Sequence, residues 1–286
     1  MSDWTDIIDD VIDHVNLLKE LGRRSVDADP AVMRALAATG KPAAAAKAPQ
    51  PEAARQPAPL PRPAPAIASV PSASPAGTPG LSPEERRKAL ADIATRADAC
   101  DVCPLRQNRT RSVPGQGNPD SPDVMFIGEA PGADEDLQGL AFVGAAGQFL
   151  TKMITAMGYT RDQIFIANIC KCRPPGNRTP LPEEMQACLP FLREQIRIIR
   201  PKTIVLLGGT AIKGLLDTQV GVTRLQGQWT KYDGIPVMPT YHPAYILRFE
   251  SFGDMEGLKT AKTQVWKALK LVLAQLGKPV PEPKKT

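Results

Sequence analysis

Aromatic residues are scarce in this chain of 286 residues, since Phe, Trp and Tyr together make up only 5% of it. Only Trp4 precedes Phe126 among them, so a hydrophobic core has to come mainly from the second part of the chain. No apolar stretch of about 18 residues occurs, which excludes a transmembrane helix. The glycine patterns GxGxxG and GxxxxGK followed by Ser or Thr are missing too, which argues against a dinucleotide or nucleoside triphosphate site.

Basic residues are also missing where a secretory signal would need them, because the first ten residues contain four Asp and no Lys or Arg. We therefore expect a soluble, cytoplasmic protein, in which five cysteines indicate free thiols or ligands rather than a disulfide framework. Histidine occurs only as His14 and His242. The net charge of +5 lies entirely after Leu90, and it is compatible with a polyanionic partner.

The composition changes along the chain and predicts four parts. Residues 1–24 have the apolar spacing of one amphipathic helix, which either docks on a protein partner or packs back on its own domain. Residues 25–82 are predicted to be a disordered linker, because twelve prolines and thirteen alanines lie between Pro42 and Pro83. A catalytic domain is predicted for residues 83–277, followed by a basic tail at 278–286.

Short apolar runs alternate with helical patterns in the predicted domain. Ser82 is placed to cap a helix that runs toward Ala97. Strands are predicted at Val124–Ile127, Ile164–Ile169, Thr203–Leu207 and Pro236–Pro239, and helices at Gly147–Met157, Glu183–Ile199, Thr210–Leu216 and Leu258–Leu276. This alternation indicates an α/β fold with three layers, in which helices cover both faces of a mostly parallel, four-stranded sheet.

In such sheets ligands bind beyond the carboxyl ends of the strands, so the residues there are candidates for chemistry. A tight loop, Gly128–Gly132, follows the first strand and leads to Phe142. Asn168 ends the second strand, and its amide has the donor and acceptor that reading a pyrimidine edge requires. His242 follows the last strand. The alternative for each is structural: an ordinary turn at the loop and at Asn168, and a core residue at Phe142.

The cysteines form a pattern of their own. Cys100 and Cys103 have the spacing of a ligand pair, and Cys188 adds a third thiol. Either Cys170 or Cys172 could be the fourth, and the spacing fits a [4Fe–4S] cluster or zinc equally well. Five unrelated buried thiols are the alternative.

Several of these motifs together resemble one known family. They are Gly128–Gly132, Phe142–Gly144, Asn168, Lys171–Pro175 with Asn177–Arg178, His242–Arg248 and the cysteines. In this order they closely resemble the family 4, iron–sulfur uracil-DNA glycosylases over about residues 85–277. The longer bacterial members described as related to a phage DNA polymerase carry N-terminal extensions of the kind found here.

The resemblance implies a monofunctional enzyme that extrudes deoxyuridine from DNA and hydrolyses its N-glycosidic bond, leaving an abasic site. By similarity Phe142 would stack on the uracil, Asn168 would read its edge, and His242 would donate to its O2 as negative charge develops. The same pocket would be lined by Gly128, Glu129 and Ala130, and Tyr245 and Arg248 would lie at the DNA face.

Two further implications concern the water and the cofactor. Ala130 stands where related enzymes carry the Asp that positions the water, so Glu129, Glu135 and Asn177 are the candidates, with Asn177 and Glu129 preferred. The family motif selects Cys172 over Cys170, which makes Cys100, Cys103, Cys172 and Cys188 the expected ligands of a [4Fe–4S] cluster.

The expected partner is DNA that contains uracil, and the protein is expected to act as a monomer with no membrane attachment. A second hypothesis remains open from the sequence. In it the chain is a non-catalytic iron–sulfur adaptor that binds DNA in replication and docks a partner through its N-terminal helix.

Overall fold

A computed structural model of the chain describes residues 81–281, so the predicted N-terminal helix and most of the linker lie outside the described residues. The first element is helix α1, Pro83–Ala99, which begins as predicted. The Ser82 hydroxyl accepts a hydrogen bond from the Glu85 backbone N–H, and the Glu85 carboxylate accepts one from the Ser82 N–H at 2.7 Å. This reciprocal pair satisfies N–H groups that have no partner within the helix.

The sheet of the described residues has six strands. They are β1 (Gln116–Gly117), β2 (Val124–Gly128), β3 (Phe165–Asn168), β4 (Thr203–Leu207), β5 (Thr230–Tyr232) and β6 (Ile235–Thr240). Their spatial order is β1-β3-β2-β4-β6-β5, in which β3, β2, β4 and β6 run parallel. Strands β1 and β5 pair antiparallel at the two edges.

The four parallel strands are the four predicted runs, so the mostly parallel sheet is confirmed. The predicted number of four strands is wrong, because the two antiparallel edge strands were not foreseen. Strand β1 has only two residues and β5 only three, which is too short for a pattern of alternating apolar residues to show.

Helices cover both faces of this sheet. Those after α1 are α2 (Ala133–Gln138), α3 (Ala145–Ala156), α4 (Pro182–Ile199), α5 (Gly209–Leu216), α6 (Val222–Leu225), α7 (Pro243–Ser251) and α8 (Met255–Gln275). Successive side chains of β2 point to opposite faces, and all five residues of that strand are buried. The core therefore extends over both sides of the sheet, and the three-layer α/β/α fold is confirmed.

Helices α2, α6 and α7 were not predicted, and α2 and α7 both begin in the loops that follow parallel strands. Helix α2 starts five residues after Gly128, and α7 starts at Pro243, directly after His242. These two short helices, together with the loop after β3, surround the carboxyl ends of the parallel strands. The fold thus brings the loops after β2, β3 and β6 to one edge of the sheet.

Candidate active site

A cleft of about 480 Å³ opens at this edge of the sheet. Eight of the nine residues predicted for catalysis, base binding or DNA contact line it: Glu129, Ala130, Phe142, Asn168, Asn177, His242, Tyr245 and Arg248. The ninth, Gly128, is buried at the end of β2, next to two of them. Residues that are up to about 120 positions apart in sequence therefore share one cleft, because parallel strands end at a common edge.

The absence of a side chain at Gly128 shapes the floor of the cleft. A Cβ atom at this position would lie 2.5 Å from Oδ1 of Asn168 and 2.5 Å from Cζ of Phe142. Gly128 and Asn168 are also register partners in the parallel ladder between β2 and β3. Only glycine allows both side chains to approach the strand this closely.

Asn168 is 2% exposed, yet its Oδ1 atom has no hydrogen-bond partner among the described residues. A buried amide oxygen without a partner is energetically costly and rare in proteins. The side chain lines the cleft, so a donor supplied by a bound molecule would satisfy it.

Glu135 organises the loop that carries Phe142. Its carboxylate is buried and accepts hydrogen bonds from the backbone N–H groups of Gly132, Val143 and Gly144 at 2.8 to 3.0 Å. These bonds tie the two ends of the loop together and hold Phe142 in a left-handed backbone conformation, with φ of 56°. Glu135 was one of the predicted candidates for positioning water, whereas in the structure its oxygens hold the loop.

His242 has its tautomer set by the backbone. Its Nδ1 atom accepts a hydrogen bond from the Ala244 N–H at 3.1 Å, so in the neutral ring the proton is on Nε2. Burial lowers the pKa of His242 to about 4, and the positive charge of Arg248 acts in the same direction, while Glu135 opposes it. The ring centre lies 5.6 Å from that of Phe142. The cleft therefore contains a neutral imidazole that can donate through Nε2.

Tyr245, Arg248 and Asn177 lie toward the opening of the cleft. The Tyr245 ring stacks on Tyr241 with centres 5.0 Å apart, while the Arg248 side chain is exposed. Asn177 is exposed as well, and its Oδ1 accepts a hydrogen bond from Nε of Arg173 at 2.7 Å. This part of the cleft combines an aromatic surface with cationic side chains.

Arg178 also lines the cleft. It belongs to the motif Asn177–Arg178, but no role was predicted for it from the sequence. Its guanidinium forms two bonds, of 2.7 and 2.8 Å, with the carboxylate of Glu184, whose side chain is 1% exposed. These bonds hold the pKa of Glu184 below its usual range. The pair attaches the wall of the cleft to the first turn of α4.

None of the predicted cluster ligands lines the cleft. The thiols of Cys103, Cys172 and Cys188 are near enough to influence one another electrostatically, and Cys100 acts on Cys103 in the same way. The backbone N–H of Lys171 donates to Sγ of Cys188 at 3.1 Å. Arg109 donates to Sγ of Cys172 at 2.8 Å.

All five cysteines are free, and Cys170 is also buried, with its thiol hydrogen-bonded to Cys188. Within residues 81–281, no three Cys, His, Asp or Glu side chains meet in the arrangement that one metal ion requires. The assignment of cluster ligands thus stays a prediction.

A family model described as the uracil DNA glycosylase superfamily matches residues 114–270. The chain belongs to the uracil-DNA glycosylase superfamily. Every residue of the cleft named above falls within the matched range, whereas Cys100 and Cys103 precede it. The family resemblance inferred from the motifs is confirmed.

Several proteins named type-4 uracil-DNA glycosylase are similar to more than half of this chain. The protein of Thermotoga maritima is 44% identical over 168 residues, which cover 58% of this chain and 87% of the relative. That of Sulfurisphaera tokodaii is 46% identical over 167 residues, covering 55% and 76%. A DNA polymerase of Bacillus phage SP01 is 24% identical over 151 residues, covering 52% of this chain and 16% of the polymerase.

None of the helices described for this glycosylase superfamily member is long and apolar enough to cross a membrane.

Proposed function

We propose that this protein is a monofunctional uracil-DNA glycosylase, which releases uracil from DNA and leaves an abasic site. The observation that carries the proposal is the pair of Asn168 and His242 in one cleft. A buried amide oxygen that has no partner among the described residues and a neutral imidazole donor suit the two polar edges of uracil. The type-4 relatives support the same activity by name.

The preference for uracil over cytosine follows from the hydrogen-bonding groups of the two bases. Uracil presents N3–H as a donor and O4 as an acceptor, so Oδ1 of Asn168 can accept from N3–H while its amide nitrogen donates to O4. Cytosine has an acceptor at N3 and a donor at N4, and it would leave both groups of this amide orientation unpaired. Phe142, in the floor of the cleft, is placed to stack on the extruded base.

Bond cleavage places new charge where His242 can reach it. As the bond between C1′ and N1 breaks, its electron pair leaves with uracil, and negative charge spreads onto O2. The Nε2–H group of His242 donates to that oxygen, and a fixed donor in a cleft stabilises the charge more than water does. Because the imidazole is neutral, it donates a hydrogen bond without first having to lose or gain a proton.

Water then adds to C1′ of the sugar cation and loses a proton to solvent, and the departing uracil anion takes up a proton from solvent, which completes the hydrolysis. We assign the positioning of this water to Glu129 or Asn177, which both line the cleft. Asn177 already accepts a hydrogen bond from Arg173 through its side-chain oxygen. Separate Glu129→Gln and Asn177→Ala variants distinguish them, because only the residue that holds the water should slow single-turnover release.

The four cysteines fit a [4Fe–4S] cluster by the chemistry of the donor set, and we propose Cys100, Cys103, Cys172 and Cys188 as its ligands. Backbone and guanidinium N–H groups already point at two of the sulfurs, as suits thiolate ligands. Hydrolysis needs no electron, so the bound cluster would supply a structural link rather than redox chemistry. The ligands would connect the segment before β1, the loop after β3 and helix α4.

We further propose that the enzyme acts as a monomer on uracil-containing DNA in the cytoplasm. Analytical ultracentrifugation of the full chain, alone and with DNA, tests the monomer.

A cleavage assay tests the main proposal. An end-labelled oligonucleotide with one uracil is incubated with the full-length, cluster-loaded protein and then heated in alkali, which cuts at abasic sites. We expect one labelled fragment ending at the uracil position, and none from a matched oligonucleotide that contains cytosine there. An uncut uracil strand would refute the glycosylase activity.

A further inference from the structure

A lysine side chain is buried behind the cleft and takes no part in the chemistry proposed above. Lys171 is 1% exposed and is among the largest fully buried side chains of the described residues. It comes three residues after Asn168, at the point where the chain leaves β3. Burying a lysine is costly unless its donors find acceptors, so its bonds show what it does.

The amine of Lys171 bridges two elements of the fold. Its Nζ donates to the backbone carbonyl oxygen of Asn168 at 3.0 Å and to Oε1 of Gln195, in α4, at 2.7 Å. Gln195 is 2% exposed, and its Nε2 donates in turn to the carbonyl of Pro114 at 2.7 Å. The backbone carbonyl of Lys171 accepts from the N–H of Val113, also at 2.7 Å.

These bonds fix the main chain of Asn168, and none of them involves its side chain. The carbonyl of Asn168 is tied to α4 through Lys171, and α4 is tied through Gln195 to the segment that precedes β1. Oδ1 of Asn168 meanwhile has no partner among residues 81–281. A side chain can bind a ligand in one orientation only if its own backbone is fixed, because small displacements weaken directional hydrogen bonds.

We propose that Lys171 is a positioning residue for base recognition, which acts with Gln195 as a buried brace behind Asn168. The brace fixes the end of β3, so the Asn168 amide meets uracil already aligned. The amine has donors whether or not it carries a charge, so the brace does not depend on its protonation. The inference rests on the proposed function, because it assigns uracil as the molecule that Asn168 binds.

The test compares Lys171→Met with the matched control Lys202→Met. Methionine retains the length and packing of lysine but removes the donors, and Lys202 is an exposed lysine paired with Asp123 at 2.7 Å, outside the cleft. The readouts are the Ki of free uracil, kcat/KM for uracil-containing DNA, and the Kd for the same DNA without uracil. Visible absorbance per chain checks that both variants carry the same cofactor content.

We expect Lys171→Met to raise the Ki of uracil and to lower kcat/KM by about tenfold or more, since an unpaired buried carbonyl destabilises the aligned state. The Kd for DNA without uracil should stay within about twofold of the wild-type value, because the residues that contact the DNA backbone lie outside the brace. Lys202→Met should match the wild type in all three. A Lys171→Met protein with the Ki and kcat/KM of the wild type would overturn the brace.

A second pair of variants keeps the proposal testable if Lys171→Met does not fold. Gln195→Glu retains an acceptor for Lys171, whereas Gln195→Leu removes it. Both variants lose the donor to Pro114, so the difference between them isolates the bond to Lys171. The brace predicts weaker uracil binding in Gln195→Leu than in Gln195→Glu, and equal effects would contradict it.

Hydrogen exchange separates this inference from the proposed function. Backbone exchange in the peptide that covers residues 165–172 should be faster in Lys171→Met than in Lys202→Met, and equal rates would refute the brace. A wild type that releases no uracil would refute the glycosylase proposal, and the exchange comparison would still decide about the brace.

Discussion

His242 should remain uncharged down to about pH 4, well below the pH at which an ordinary histidine takes up a proton. Burial lowers its pKa from 6.5 to about 4, and the nearby charge of Arg248 contributes to the shift. Each unit of pKa corresponds to about 1.4 kcal/mol, so charging this imidazole in the folded chain costs about 3 kcal/mol. The neutral ring keeps Nδ1 as an acceptor for the Ala244 N–H and Nε2 as the donor.

The sign of the shift predicts how stability depends on pH. The unfolded chain binds a proton at this histidine below about pH 6.5, whereas the folded chain does so only near pH 4. The contribution of His242 to stability is therefore complete above pH 6.5, and it is lost as the pH falls from about 6.5 to 4.

Nuclear magnetic resonance of histidine-labelled protein measures the pKa directly. The chain contains only His14 and His242, so two imidazole signals are expected, and the His242→Gln variant identifies one of them by its loss. The His242 signal should titrate near pH 4. A His242→Ala variant, which has no side-chain donor, should release uracil about 100-fold to 1000-fold more slowly, which is the usual cost of losing a donor to a developing oxyanion.

A His242 signal that titrates near pH 6.5 would refute the reasoning, because the ring would then be accessible and charged under mildly acidic conditions. A wild-type single-turnover rate that falls tenfold per pH unit below 6.5, with no such fall in His242→Gln, would refute it as well. Circular dichroism of the variant at neutral pH serves as the control for folding.

Three further predictions concern the floor of the cleft, its loop and the thiols. Gly128→Ala adds a Cβ 2.5 Å from Oδ1 of Asn168, so we expect the Ki of uracil to rise at least tenfold while binding of uracil-free DNA persists; an unchanged Ki would contradict the geometry. Glu135→Gln weakens the acceptor of three backbone N–H groups, so it should lower the free energy of unfolding by about 1 to 3 kcal/mol in urea titrations. An unchanged free energy of unfolding would show that the loop keeps its conformation without these bonds. Cys172→Ser should abolish the visible absorbance of anaerobically purified protein and Cys170→Ser should not, and the reverse result would show that Cys170 is the ligand.

Much of the fold was predictable because its signals are local. The apolar runs that became β2, β3, β4 and β6 are each a few residues long and are followed by glycine, asparagine or a His-Pro pair. Because ligands bind at the carboxyl ends of parallel strands, Phe142, Asn168 and His242 could be predicted as site residues from the sequence. The edge strands β1 and β5 were missed because two or three residues carry no periodicity.

The chemistry within the cleft was less predictable. Glu135 was one of three candidate carboxylates and amides, and only its three backbone partners show that it holds the loop. In the sequence Lys171 is a charged residue between two cysteines, and only the structure shows that it is buried against Gln195. Both results depend on residues that meet only after folding.

The sequence by itself thus determined the order along the chain of the four parallel strands and of five of the eight described helices, and it identified the residues at the strand ends. It did so because hydrophobic periodicity, caps and turn residues act over a few positions of the chain. Only the tertiary structure decided that His242 is neutral with its proton on Nε2 and that Gly128 leaves room for Asn168 and Phe142. It also decided that the Asn168 oxygen is buried with no hydrogen-bond partner in the part of the chain that the structure describes. Burial and hydrogen bonding are relations between segments distant in the chain, and packing alone sets them.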